Sequence, residues 1–465
     1  MNRAFLITAV PCISLALSSC APNLTENQTS PGTRAMFDDT TGVIPLPSDL
    51  LKGPDGKLAL PAQAGDSELT AQVKAALNDL DGWLTGSTIT VPFDAPLDPA
   101  TVTPQSVLLV DLGKSSEAPT AAAFADPYYT LFNVGRAPAS AAPYNIIVKT
   151  KSPGALKPSV EFAQGERYAV VVTDAVKGAD GLPVITHAAL DFLKSTTPLV
   201  DKSGHSTIIL PDDQAALLEM GRAGVVAPAF DAMEAKGIAN RQHAVSYTVF
   251  STQSGARPSF NPLLVGRILP TPNDVGTPAN AALDVQPEVL FDLPYDPASV
   301  DAGTFMFKMG ATPTPVTITT ATSTTPNAKG LYSLKVVPSA TLEPSTSYMV
   351  VLTKDIKSQT GVAAQPSVYF MLARTTTPIL DQSTTPPTLN SPFVDLTLDV
   401  LILLGKDPAT ATADDWTSAY GALTSNLKGL EDLRVAYSPA FDAAQTAGIA
   451  REKIIVLWTF TTAAK

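Results

Sequence analysis

The sequence contains only two cysteines among its 465 residues, Cys12 and Cys20, and both fall in the first twenty positions. Everything downstream must fold without a disulfide or a thiolate metal site, so stability has to come from packed cores. Histidine is nearly as scarce. His187, His205 and His243 share no metal-ligand spacing, and no His-Glu-x-x-His helix occurs; each reads as a surface or loop residue. Charged residues make up 16% of the chain, with 43 acidic against 31 basic and a net charge of −12. No basic stripe is present to neutralise phosphates, which excludes nucleic acid as a partner. The same balance excludes electrostatic docking on anionic lipid. Beyond the first twenty residues no apolar run is long enough to span a bilayer, since Asp395–Leu404 is short and holds two aspartates.

What is present begins at the N-terminus. Met1-Asn2-Arg3 precedes a mostly apolar run from Ala4 to Leu17, and Leu17-Ser18-Ser19-Cys20 follows. A basic start, a short apolar stretch and small residues form a secretory signal over residues 1–19. The final tetrapeptide resembles the lipobox of bacterial lipoproteins. That resemblance implies cleavage before Cys20 and a diacylglyceryl group on its thiol, with several acyl chains holding the chain to a membrane. The alternative is an ordinary signal with an accidental cysteine. Ala21 follows Cys20, not aspartate, and this favours the outer of two membranes. Residues 20–36 are polar and aperiodic, as expected of a flexible tether.

The largest feature is an internal repeat. Phe93-Asp94 and Asp98-Pro99-Ala100 return as Phe291-Asp292 and Asp296-Pro297-Ala298. Tyr168-Ala169-Val170-Val171-Val172-Thr173 returns as Tyr348-Met349-Val350-Val351-Leu352-Thr353, followed by Gly181 and Gly361, then Thr197-Pro198 and Thr377-Pro378. Pro228-Ala229-Phe230-Asp231-Ala232 returns as Pro439-Ala440-Phe441-Asp442-Ala443. Order is kept and only the spacers differ. Alternating apolar residues such as Ile89, Val91 and Phe93, with turn residues between runs, indicate short strands. Strands are expected at Val107–Val110, Tyr144–Val148, Thr304–Lys308 and Tyr332–Val337, and final strands at Ala189–Leu193 and Ser367–Ala373.

The fold class expected is mainly β with α inserts. Two duplicated Ig-like antiparallel β-sandwich domains span residues 37–260 and 261–465, each with a helical insert before its last strand. In the first insert, Pro211-Asp212-Asp213 starts a helix. In the second, Asp395–Leu404 is one helix, Thr412-Ala413-Asp414-Asp415 caps another, and Leu430–Ala447 is a third. The inserts either pack on their own sandwich or form an exposed groove.

Residues 37–51 (Phe37-Asp38-Asp39 through Leu50-Leu51), with Ala76–Gly82 and Ile89–Val102, resemble the N-terminal region of the bacterial virulence factor lipase family. The repeat units resemble bacterial Ig-like domains of S-layer and surface proteins, through Phe-Asp…Asp-Pro-Ala and Tyr-x-Val-Val…Asp-Gly. In the lipase family, catalysis is assigned to an α/β-hydrolase domain that follows this region, and the present sequence contains no counterpart of it.

The chemistry-bearing residues agree. No Gly-x-Ser-x-Gly elbow exists. Gly204-His205-Ser206-Thr207-Ile208 lacks the second glycine, and Gly65-Asp66-Ser67-Glu68-Leu69, similar to a Gly-Asp-Ser esterase box, has no Asp-x-x-His partner. Asp38, Asp39, Asp79 and Asp81 could offer oxygens to Ca²⁺, but none completes a calcium loop, and Asx turns or caps account for them as well. Asp98 and Asp296 recur as turn formers. Trp83, Trp416 and Trp458, with Phe93, Phe291, Tyr168 and Tyr348, are read as core rather than a carbohydrate platform. No catalytic residue and no resident metal or other cofactor is expected. The function expected is a lipid-anchored envelope protein serving as scaffold, adhesin or binding module, its partner an envelope protein, glycan or lipid. The alternative is an accessory lipid-binding module of a lipase system.

Overall fold

The computed structural model describes residues 32–37, 43–63, 65–114, 121–123, 129–134, 144–150, 162–258, 268–269, 280–385, 387–390, 406 and 411–465. Helix α1 (Glu68–Asn78) comes first, capped by the Ser67 hydroxyl, which accepts from the Thr70 N–H. The first sandwich is built from β1 (Ile89–Phe93), β2 (Val107–Lys114), β3 (Ala122–Ala123), β4 (Tyr129–Val134), β5 (Tyr144–Thr150), β6 (Glu166–Thr173) and β7 (Ala244–Ser251). One sheet runs β3-β2-β6-β7 and the other β1-β5-β4, with all pairings antiparallel. Strand β6 is buried along Tyr168–Val172, as suits a valine-rich central strand.

Between β6 and β7 lie α2 (Ala188–Leu193), α3 (Asp212–Gly221) and α4 (Ala227–Ala235). Strand β7 sits at the sheet edge, yet it is buried throughout. The Asp49 carboxylate covers part of that edge by accepting the Ser251 N–H at 2.9 Å and the Ser251 hydroxyl, and the Thr248 hydroxyl donates to the Pro47 carbonyl. An exposed strand edge is thereby closed by the segment before α1.

The second sandwich repeats the plan with β8 (Ile268–Leu269), β9 (Glu288–Phe291), α5 (Pro297–Gly303), β10 (Thr304–Lys308), β11 (Thr314–Pro315), β12 (Ile318–Thr322), β13 (Tyr332–Pro338) and β14 (Ser347–Thr353). Helix α6 (Val368–Ala373), the ribbon β15 (Leu380–Asp381) and β16 (Thr388–Leu389), helix α7 (Ala413–Thr446) and β17 (Ile454–Thr461) follow. The sheets run β11-β10-β14-β17 and β12-β13-β9-β8. The two four-stranded sheets holding β6 and β14 share strand order, the Tyr168↔Phe250 and Tyr348↔Phe460 pairings, and a ladder irregularity before Thr173 and Thr353. Tyr168 Oη accepts from the Ala163 N–H at 3.0 Å, and Tyr348 Oη from the Glu343 N–H at 2.9 Å. Asp98 and Asp296 cap the turns after β1 and β9 by accepting from Ala100 and Ala298.

Four expectations change. Ala189–Leu193 and Ser367–Ala373 are helical rather than final strands: His187 Nδ1 accepts from the Ala189 N–H and Ser367 Oγ from the Phe370 N–H. These runs hold a single β-branched residue, Val368, and a short continuous apolar run carries no period to separate helix from strand. Order begins before Phe37, because Thr33 and Ala35 are buried, Ala35 pairs with Phe93, and Arg34 pairs with Ile185, whose carbonyl accepts the Ala35 N–H. Its counterpart in the second unit starts ahead of residue 261, with Pro258 paired to Phe291 and Arg257 to Asp292. The helices expected from Thr412 and at Leu430–Ala447 are one 34-residue helix that continues through Pro439. The Pro439 ring removes the N–H that would bond to Val435, an exposed residue whose carbonyl water can serve. The helix expected at Asp395–Leu404, the signal at 1–19, Cys20, Asp38 and Asp39 lie outside the described residues.

The first insert handles the equivalent proline differently. Arg222 and Pro228 are six positions apart, whereas Arg434 and Pro439 are five. A π turn over Arg222–Val226 links α3 to α4 and takes up the additional residue. A one-residue insertion rotates everything beyond it by a helical step unless the helix widens locally, and a π turn is that widening.

A candidate groove beside the second insert

Both inserts are fastened by the same buried device. In the first, Glu219 accepts from Arg222 Nε (2.6 Å) and Nη2 (2.7 Å) and from the Leu199 N–H (2.8 Å), while Arg222 Nη1 reaches the Ser195 carbonyl at 3.1 Å. In the second, Glu431 accepts from Arg434 Nε (2.9 Å) and Nη2 (2.7 Å) and from the Ile379 N–H (2.9 Å), while Arg434 Nη1 reaches the Thr376 carbonyl at 3.0 Å. Each pair grips the chain leaving the preceding helix and holds it against the long helix of the insert. A second cation sits at each base: Lys194 donates to the Ala244 carbonyl, and Arg374 to those of Glu452 and Ile454.

In the second unit this frame encloses a groove of about 610 Å³ between the β15–β16 ribbon and α7. Pro378, Leu380, Val435 and Ala436 supply its apolar lining, and Asp381, Gln382, Asn390, Glu431 and Asp432 its polar lining. The ribbon is held by Leu380↔Leu389 pairing, by Asn390 Nδ2 donating to the Pro378 carbonyl (2.9 Å), and by Tyr420 Oη accepting from the Leu389 N–H (3.1 Å). Asp381 Oδ1 accepts from the Ser383 hydroxyl (2.6 Å) and N–H (2.9 Å), and these bonds hold its carboxyl below the usual range. For Asp432, partial burial pushes upward, but hydrogen bonds from Lys428 and Gln382 prevail and hold it low. Both are therefore anionic at neutral pH. Glu431 is turned inward and matched by Arg434.

The same corner of the first unit keeps one of the two acids and replaces the other with an apolar residue. Asp201 matches Asp381, accepting from His205 and Ser203 N–H groups that lower its carboxyl. The residue after Glu219 is Met220, 71% exposed, where Asp432 follows Glu431. Ala216 stands where the second unit has Lys428. Ile209 and Leu217 are exposed nearby in the sequence.

The residues singled out from sequence are placed elsewhere. Asp79 pairs with Lys354 at 2.5 Å, and Asp81 accepts from the Ser254 N–H and hydroxyl and from Gln365 Nε2 at 3.0 Å, so both join the two sandwiches at their seam. Gln72 of α1 adds bonds to Thr376 and Thr377. Among the described residues no three His, Cys, Asp or Glu side chains converge as a metal would require. Asp66 pairs with Lys74, the Ser67 hydroxyl shares a hydrogen bond with the Thr70 hydroxyl, and the Ser206 hydroxyl donates to the Ile208 carbonyl. His187 is a helix cap, and His243 is exposed and paired with Asp174. Trp83 and Trp458 are buried, and Trp416 packs partly on the core. The signal that sequence reading missed was Glu-x-x-Arg, present in both inserts as Glu219–Arg222 and Glu431–Arg434.

The chain is thus a mainly antiparallel β protein whose strand plan is that of Ig-like sandwiches. Residues 262–376 match the bacterial Ig-like domain family. The match ends at Thr376, so the groove, α7 and the closing strand β17 lie past it. No curated protein matches the chain. No helix among the described residues is long and apolar enough to cross a membrane.

Proposed function

We propose that the chain is a lipid-anchored cell-envelope protein, held to the outer membrane through Cys20, that acts without catalysis as a binding or scaffold module. The observation that carries this reading is the groove built onto an Ig-like frame. A rigid sandwich positions a recess with an apolar lining and a few fixed polar groups, the usual make-up of a binding site. The Leu17–Cys20 tetrapeptide supports the anchor. Metabolic labelling with an alkyne palmitate tests it: label and detergent-phase partitioning are expected in the native chain and lost in Cys20→Ser. Equal labelling of both would contradict the anchor, and turnover of p-nitrophenyl esters by the purified protein would contradict the non-catalytic reading. A second reading rests on the resemblance of residues 37–51 and 76–102 to a lipase N-terminal region. In that case the protein would raise the activity of a separately encoded lipase when the two are mixed.

A further inference from the structure

The make-up of the groove restricts its ligand, given the binding-module reading above. Its lining is aliphatic at Leu380 and Val435, and two anionic carboxylates, Asp381 and Asp432, stand among these residues. A ligand matching both has a long apolar stem and a cationic head, which describes a lysine or arginine side chain. One of these carboxylates already holds such a head: Lys428, which flanks the groove without lining it, places Nζ 2.9 and 2.7 Å from the two oxygens of Asp432. Both partners of that pair are about half exposed, 54% and 53%. An exposed ion pair one helical turn apart contributes little and is easily exchanged. Among the described residues no cation pairs with Asp381, whose Oδ1 holds the Ser383 turn. The net charge of −12 favours approach of a basic partner. The first unit keeps Asp201 at the position of Asp381 but lacks the Lys428–Asp432 pair, having Ala216 and Met220 at the matching positions.

We propose that this groove receives a lysine or arginine side chain from an extended, otherwise apolar segment of a partner protein, and that Lys428 is a resident competitor which the incoming cation displaces from Asp432. The test uses the full chain in detergent and a capped, fluorescein-labelled heptapeptide alternating leucine with lysine. A counterpart carries norleucine in place of each lysine. Anisotropy titrations at low and high salt read the affinity. The lysine peptide is expected to bind with strong salt dependence, and the norleucine peptide weakly or not at all. Asp381→Asn with Asp432→Asn should weaken lysine-peptide binding about tenfold or more. Lys428→Ala should tighten it several-fold, an outcome that general loss of structure would not produce. Equal binding of both peptides, or weaker binding by Lys428→Ala, would overturn the proposal. If both peptides bind alike and Val435→Lys abolishes both, the groove remains a binding site and only the cation preference fails. If neither peptide binds, the cation proposal fails, while the anchor and the wider binding role stand or fall on their own assays.

Discussion

The two inserts share one clamp and differ in nearly everything around it. In the first, the helix after the clamp widens into a π turn, the neighbouring exposed position is Met220, and no side chain caps the start of α3. In the second, the helix runs unbroken through Pro439, the matching position is Asp432, and Thr412 and Asp415 form a full capping box. The parts that repeat are buried and hydrogen-bonded to backbone, so a change there would leave an unsatisfied charge. The parts that differ face solvent, where either unit can change without disturbing its sandwich.

The clamp comparison is broken most severely by removing one carboxylate. Glu431→Ala leaves Arg434, 8% exposed, without its counter-charge, and should cost about 3–5 kcal/mol in denaturant unfolding. Glu219→Ala should cost less, about 1–3 kcal/mol, because the Glu219 side chain is more exposed than that of Glu431. Equal losses would show that burial does not set the difference.

The helices offer the next contrast. Pro439→Ala should stabilise the chain by about 1–3 kcal/mol, restoring a donor to the interior of a helix. Pro228→Ala should do little, since Pro228 lies in the first turn of α4 beside the π turn. Deleting Gly224 should turn that π turn into ordinary helix and raise stability by about 0.5–1 kcal/mol. A large loss on deletion would mean that the widened turn is held by packing rather than by an additional residue.

Smaller effects separate the surfaces. Met220→Asp with Ala216→Lys, which copies the second unit's pair onto the first, should change stability by no more than about 0.5 kcal/mol. At the start of α7, hydrogen bonds from Lys406 and Thr412 hold the Asp415 carboxyl down to about 2. A folded-state value below the unfolded one of about 3.9 favours folding above pH 4 and loses that contribution as pH falls toward 2. Carboxyl NMR titration should show Asp415 titrating near 2; a midpoint near 4 would contradict the Lys406 and Thr412 hydrogen bonds together.

Much of the sandwich was legible because strands announce themselves by alternation and because the repeat aligned Tyr168 with Tyr348 and Asp98 with Asp296. Helices α2 and α6 were misread for a physical reason: a run of five or six mostly apolar residues satisfies a buried strand and a buried helix turn equally, and the deciding caps, His187 and Ser367, are single residues. The groove was less accessible still. Glu-x-x-Arg is common in any helix, and its meaning depends on backbone groups of Leu199 and Ile379, tens of residues away. Asp79 and Asp81 looked like ligands because acidic residues near a glycine do; their partners, Lys354, Ser254 and Gln365, lie in distant sequence.

The central claim is that the second unit's insert, and not the first, forms the recognition surface. Amide chemical-shift mapping of the deuterated chain with the unlabelled lysine–leucine heptapeptide tests it directly. The account predicts salt-sensitive shifts confined to Leu380–Gln382, Asn390 and Lys428–Ala436. Shifts centred on Ile209, Leu217 and Met220 instead, or none at either face, would contradict it.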